Sequence, residues 1–166
     1  MWAKLIEKFD KYPSQQKVVK KLLQLGLKVE NDKIYCDDVE INVSSLAKTL
    51  KTDRRVVVST IKNIQNDEQL QNIFQNLKPS GPLLSNIASE LRLGVIEIEG
   101  QGKKSGILSE VTKILADEKV SIRQAYVSDP EIDPIPHIMI ITDKPVEGKL
   151  INHLIKIDGV SKVSLY

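Results

Sequence analysis

The apolar positions along this chain change period several times, and each change marks an element. Val18, Val19, Leu22, Leu23 and Leu25 recur at helical spacing between a Pro13-Ser14 start and a Gly26 stop, which predicts a helix over Pro13 to Leu25. Leu27–Glu30 and Lys33–Cys36 flank Asn31-Asp32, a turn pair, and predict a short hairpin or wing. Leu46, Ala47 and Leu50 share one face of a helix from Val43 to Leu50, with Asn42 placed to cap it. Val57, Ile61 and Ile64 share one face of a second helix from Arg54 to Ile64, with Asp53 as its cap. Leu70, Ile73, Phe74 and Leu77 predict a third over Asp67 to Leu77.

The run Lys78-Pro79-Ser80-Gly81-Pro82 is the strongest punctuation in the chain, and a short helix over Leu84 to Leu91 follows it. From Leu93 the order is strand, glycine-flanked loop, helix, strand, strand, helix, strand. Its segments are Leu93–Glu99, Gly106–Glu118, Val120–Ser128, His137–Thr142, Val146–Ile157 and Val160–Tyr166, with an acidic, proline-rich loop over Asp129–Pro136. The expected organisation is a helix-turn-helix domain over residues 1–78, a linker over 79–92 and a second domain over 93–166. The fold class is α+β, and the second domain is a ferredoxin-like βαββαβ sandwich.

Charge sharpens the contrast between the halves. Residues 1–80 hold 14 lysines and arginines against 10 acids, and residues 81–166 hold 10 against 12. A mildly basic front and a mildly acidic back suit different partners. A hydrophobic fraction of 41% and a charged fraction of 28% describe an ordinary globular composition. No apolar run approaches the roughly 20 residues of a membrane span, the first residues lack a signal-peptide core, and a single Cys36 suits a reducing cytoplasm. His137 and His153 stand apart from any cysteine or carboxylate cluster at metal spacing, and no nucleophile–base arrangement can be assembled. We therefore expect no enzyme, no catalytic or metal-binding residue and no cofactor.

Two short helices joined by so brief a turn form the helix-turn-helix unit. The spacing of Asn42, Ala47, Leu50, Asp53, Val57 and Ile61 resembles the repressor-type helix-turn-helix pattern. Lys51 stands at the turn position usually held by Gly, and Thr52 where an apolar residue is common. Read as a recognition helix, the second helix would offer Arg54, Arg55, Ser59, Lys62 and Asn63 to DNA.

In the back half, Gly102-Lys103-Lys104-Ser105-Gly106 followed by Ile-Leu-Ser-Glu-Val, and the later Val120-Ser121-Ile122, are similar to the corresponding segments of ACT domains. Together the two halves resemble archaeal regulators of amino-acid metabolism that carry an ACT domain. The resemblance implies transcriptional or metabolic control, a homodimer or higher homo-oligomer, and an amino acid or related small carboxylate bound near the first strand–helix loop. The matching positions are Gly102, Lys103, Lys104, Ser105, Gly106, Ser121 and Ile122. Lys103, Ser105 and Ser121 stand where amino-acid-binding members carry an acid, Pro and Asn; loss of the acid removes a partner for an α-ammonium, and Lys103 and Lys104 favour a more anionic ligand. A regulatory subunit that controls a metabolic enzyme without touching DNA is the alternative.

Overall fold

The computed structural model describes residues 2–102, 104–133 and 135–166, with Ala3 described by its backbone only. The chain divides into two compact units, Met1–Gly81 and Pro82–Tyr166.

The first unit begins with α1 (Trp2–Glu7) and α2 (Pro13–Leu25). Proline presets the first turn of α2, and Gly26 at φ 62° closes it, its N–H and that of Leu27 returning to Leu23 and Leu22. A three-stranded antiparallel meander follows: β1 (Lys28–Glu30), β2 (Lys33–Cys36) and β3 (Val39–Ile41). Asn31 and Asp32 both take positive φ in the β1–β2 turn, the conformation a two-residue type I′ hairpin requires. The expected hairpin is therefore present. The third strand, turned by Asp37 at φ 54°, was not legible because Val39–Ile41 is too short to show a period. Nor was α1, whose Leu5 and the following Phe9 are buried.

Helices α3 (Val43–Thr49), α4 (Arg54–Gln65) and α5 (Glu68–Phe74) complete the unit. Each begins at a side-chain cap. Asn42 accepts from the N–H groups of Ser44 and Ser45 at 2.8 and 3.3 Å, Asp53 from Arg55 at 2.7 Å, and Asp67 from Leu70 at 3.0 Å. The apolar faces of these helices meet those of α2 and the meander. Val18, Val19, Leu22, Ile34, Val57, Ile64 and Phe74 are all fully buried there. At about 1.5–3 kcal/mol for each large side chain taken from water, this face supplies most of the drive to fold.

The second unit is the expected ferredoxin-like sandwich. Strands β4 (Gly94–Gly100), β5 (Ile122–Val127), β6 (His137–Thr142) and β7 (Val160–Leu165) form a wholly antiparallel sheet in the order β5-β6-β4-β7. Helix α6 (Ile107–Asp117) and the short α7 (Ile151–Leu154) cover one face. Ile96, Ile98 and Ile140 alternate onto that face and join Ile107, Val111, Leu115 and Leu154 in one core.

Three expectations change. The helix expected over Val146–Ile157 is a 3-10 turn, Gly148–Leu150, leading into α7, because the segment starts beside Pro145 and ends at Gly159 with φ 90°. The helix expected over Leu84–Leu91 is a single 3-10 turn, Ser85–Ile87, followed by hydrogen-bonded turns. That segment is also no free linker. Ala88, Leu84 and Leu93 pack on Val95, Met139 and Ile141 of the second sheet face, and the Gln124 side chain bonds both Leu84 N–H and Pro82 C=O. Among the described residues no helix is long and apolar enough to cross a membrane.

Candidate functional site

In the first unit, the α3–α4 connection gathers charge. Helix α3 ends in a Schellman-type closure: Thr52 N–H donates to Ala47 C=O at 3.0 Å and Lys51 N–H to Lys48 C=O at 3.2 Å. Lys51, standing where Gly is usual, takes the left-handed conformation at φ 51°. Buried Leu46 and Ala47 on α3 and Val57 and Ile61 on α4 hold the two helices together. The turn therefore puts Lys48, Lys51, Arg54 and Arg55 in succession on the surface, with Lys62 two turns further along α4. All five are exposed, and none makes an ion pair among the described residues. The neighbouring acid, Asp53, has one carboxylate oxygen committed to capping α4.

The other two residues expected on the reading face are placed differently. Ser59 and Asn63 are tied to α2 by one buried side chain. Gln15, 8% exposed, donates from its amide to Ser59 Oγ at 3.0 Å and accepts from Asn63 Nδ2 at 2.8 Å. Ser59 Oγ also donates to Val56 C=O at 3.0 Å. These bonds tie both side chains to α2, although Asn63 stays exposed with its amide oxygen outside the Gln15 bond. The half-buried Val58 lies instead on the strip shared by Arg55 and Lys62, a position that charge-seeking reading of the sequence passes over.

Elsewhere in this unit, Lys8 pairs with Asp67 at 2.6 Å. The Lys8 ammonium, together with the Leu70 N–H, holds the Asp67 carboxyl below its ordinary range.

In the second unit, a cavity of about 130 Å³ opens between the β4–α6 loop and the β5–β6 connection. Ile98, Ile107, Leu108, Val127 and Ile138 supply apolar walls, and Lys104, Ser128 and His137 the polar groups. Gly102 lets the two loops meet, and Gly100 lets β4 approach the segment before β7. A Cβ on Gly102 would lie 2.6 Å from Pro136 Cβ and 3.0 Å from Pro130 Cβ, and one on Gly100 would collide with the Gly159 carbonyl oxygen. Lys104 is paired with Asp158, whose carboxyl it holds below the usual range. His137 is anchored through Nδ1, 3.2 Å from Asp133, and its backbone N–H donates to Ser128 Oγ at 2.8 Å.

Of the residues expected at a ligand site, Gly102, Lys104 and Gly106 line this cavity. Ser105 is exposed beside it, and Lys103 lies outside the described residues. Ser121 and Ile122 do not join them within one chain. Ile122 pairs with Thr142, which pairs with Gly94 at the start of β4, whereas the cavity sits at the end of β4. The β5–β6 wall of Val127, Ser128, Pro136 and His137 was missed, its one signal being the proline-rich loop before His137. Among the described residues no group of three or more His, Cys, Asp or Glu could hold a metal ion.

No protein-family model matches the chain, and no curated protein matches it. Among solved structures it is similar to the ACT domain from GTP pyrophosphokinase of Chlorobium tepidum, at 22% identity and TM-score 0.37, over 45% of this chain and 96% of that one. It is similar to an AsnC family transcriptional regulator from Agrobacterium tumefaciens at 11% identity and TM-score 0.30, over 93% and 87%. A homoserine dehydrogenase from Thiobacillus denitrificans matches at 17% identity and TM-score 0.36, over 69% of this chain and 28% of that enzyme. Scores this low identify neither a family nor an activity.

Proposed function

We propose that this chain is a DNA-binding transcriptional regulator of amino-acid metabolism that works in the cytoplasm. Its first unit holds duplex DNA through the α3–α4 helix-turn-helix. Its second unit pairs with another copy and takes up an amino acid or related small carboxylate at the β4–α6 loop. One observation carries this reading: two side-chain-capped helices joined by a tight turn present five exposed cations with no ion-pair partner among the described residues. Unpaired lysines and arginines gain most from phosphates, because each phosphate neutralised releases condensed counterions.

Pairing of two chains about a two-fold axis suits an inverted repeat, one half-site for each α4. The effector would regulate binding by favouring one of two states of the pair, and its effect on DNA affinity must be matched by an equal effect of DNA on its own affinity. A mobility-shift titration of genomic duplex fragments with the full chain, at fixed low salt, tests the proposal. Retarded complexes at micromolar protein or below are expected. No complex with any fragment at about 50 mM salt, where the electrostatic contribution is large, would overturn it.

A further inference from the structure

The hydrogen bonds of Gln15 decide which side chains of α4 remain free to read a base. Ser59 Oγ and Asn63 Nδ2 are bonded to Gln15 of α2, while Arg55, Val58 and Lys62 follow one another at spacings of three and four residues along one face of α4. Arg55 is exposed in the first turn, Val58 is half-buried in the second, and Lys62 is exposed beyond it. The strip therefore carries one planar double donor, one branched methyl pair and one point charge, and no free acceptor.

We propose that this strip specifies a guanine and, on the adjacent base pair, a thymine, with Arg55 reading the guanine and Val58 the thymine methyl. The inference rests on the DNA-binding reading above and adds its sequence preference. A guanidinium matches the O6 and N7 acceptors of guanine in the major groove, and an apolar side chain matches the thymine 5-methyl group. The spacing fits as well: three helical residues advance about 4.5 Å, little more than the ~3.4 Å between successive bases. Lys62 stands about 10.5 Å from Arg55 along the axis and serves the phosphates, as do Lys48 and Lys51 beside the turn. The occupant is B-form DNA, on the complementarity of five exposed cations, unpaired among the described residues, to a polyanion.

Selection of bound duplexes from a random-sequence library by the full chain, followed by anisotropy titrations on the enriched site, tests this. Each thymine is replaced in turn by deoxyuridine, which lacks only the methyl, and each guanine by 7-deazaguanine, which lacks N7. We expect one thymine and one neighbouring guanine at which replacement weakens binding about fivefold or more. In Val58→Ser the thymine effect disappears and the guanine effect stays, and Val58→Thr, which keeps a methyl, retains both. Arg55→Ala removes the guanine effect alone. Melting curves of each variant establish that the first unit is folded. Binding that is salt-sensitive but indifferent to every methyl and N7 overturns this inference and leaves the DNA-binding reading standing, as does a thymine effect that survives Val58→Ser. Failure to enrich any duplex overturns both.

Discussion

Replacing Gln15 by alanine removes a side chain that hydrogen-bonds two positions of α4 from α2. Two hydrogen bonds are lost, to Ser59 Oγ at 3.0 Å and from Asn63 Nδ2 at 2.8 Å. Each contributes about 0.5–1.5 kcal/mol net. The better helix propensity of alanine offsets a few tenths of a kcal/mol. Asn63 is exposed and regains water, so little further penalty arises from stranding it. The expected destabilisation is about 2 kcal/mol, which lowers the melting temperature of a domain this size by roughly 8–16 °C. Trp2, the single tryptophan of the chain, lies in the first unit and reports its unfolding by fluorescence. A double-mutant cycle of Gln15→Ala with Asn63→Ala should give a coupling energy of about 0.5–1.5 kcal/mol. Asn63→Ala alone should cost stability and leave duplex affinity unchanged. A loss below about 0.5 kcal/mol with no coupling would refute the clamp, and Ser59 and Asn63 would return to the reading face.

Other expectations follow from single positions. Lys51 takes φ 51° without help from a glycine, so Lys51→Gly should stabilise the first unit by about 1 kcal/mol in urea titration while removing one cation from the interface. The Asp67 carboxyl is held low by Lys8, so its stabilising effect is complete above the unfolded value near pH 3.9 and is lost as pH falls through the lower folded value. Asp67→Asn keeps a cap but removes the pair, and its stability deficit relative to the parent chain should be constant from about pH 5 to 7 and shrink below about pH 4. A deficit that does not change down to about pH 2 would contradict that assignment. Gly100→Ala forces a methyl onto the Gly159 carbonyl at the β4–β7 bulge, so it should destabilise the second unit by about 1–3 kcal/mol and leave the Trp2 transition in place.

Local signals made much of the fold legible. The caps Asn42 and Asp53, the Gly26 stop and the Asn31-Asp32 turn each act within three residues, and each forms as read, whereas Asp67, read as the first helical residue, is itself a cap. The sandwich was visible because β4 alternates and α6 carries a clear helical stripe. What escaped depends on contacts distant in sequence. Gln15 meets α4 across 44 positions, and nothing in the sequence around Ser59 announces it. The placement of Ser121 at the far end of the sheet from the β4–α6 loop follows from strand register, which one sequence does not display. The third strand and α1 are too short for periodicity to speak. The cavity was half legible: its glycine loop stood out, and its opposite wall came from a loop read only as punctuation.

The central claim is that α4 meets DNA through the cations at its start. The salt dependence of duplex binding by the parent chain and by Arg54→Ala/Arg55→Ala tests this most directly. Each phosphate contact contributes about 0.9 to the slope of log affinity against log salt. The account predicts weaker binding by the double variant and a slope smaller in magnitude by about one to two. Parallel, superimposable lines for the two proteins would contradict it and remove α4 from the interface.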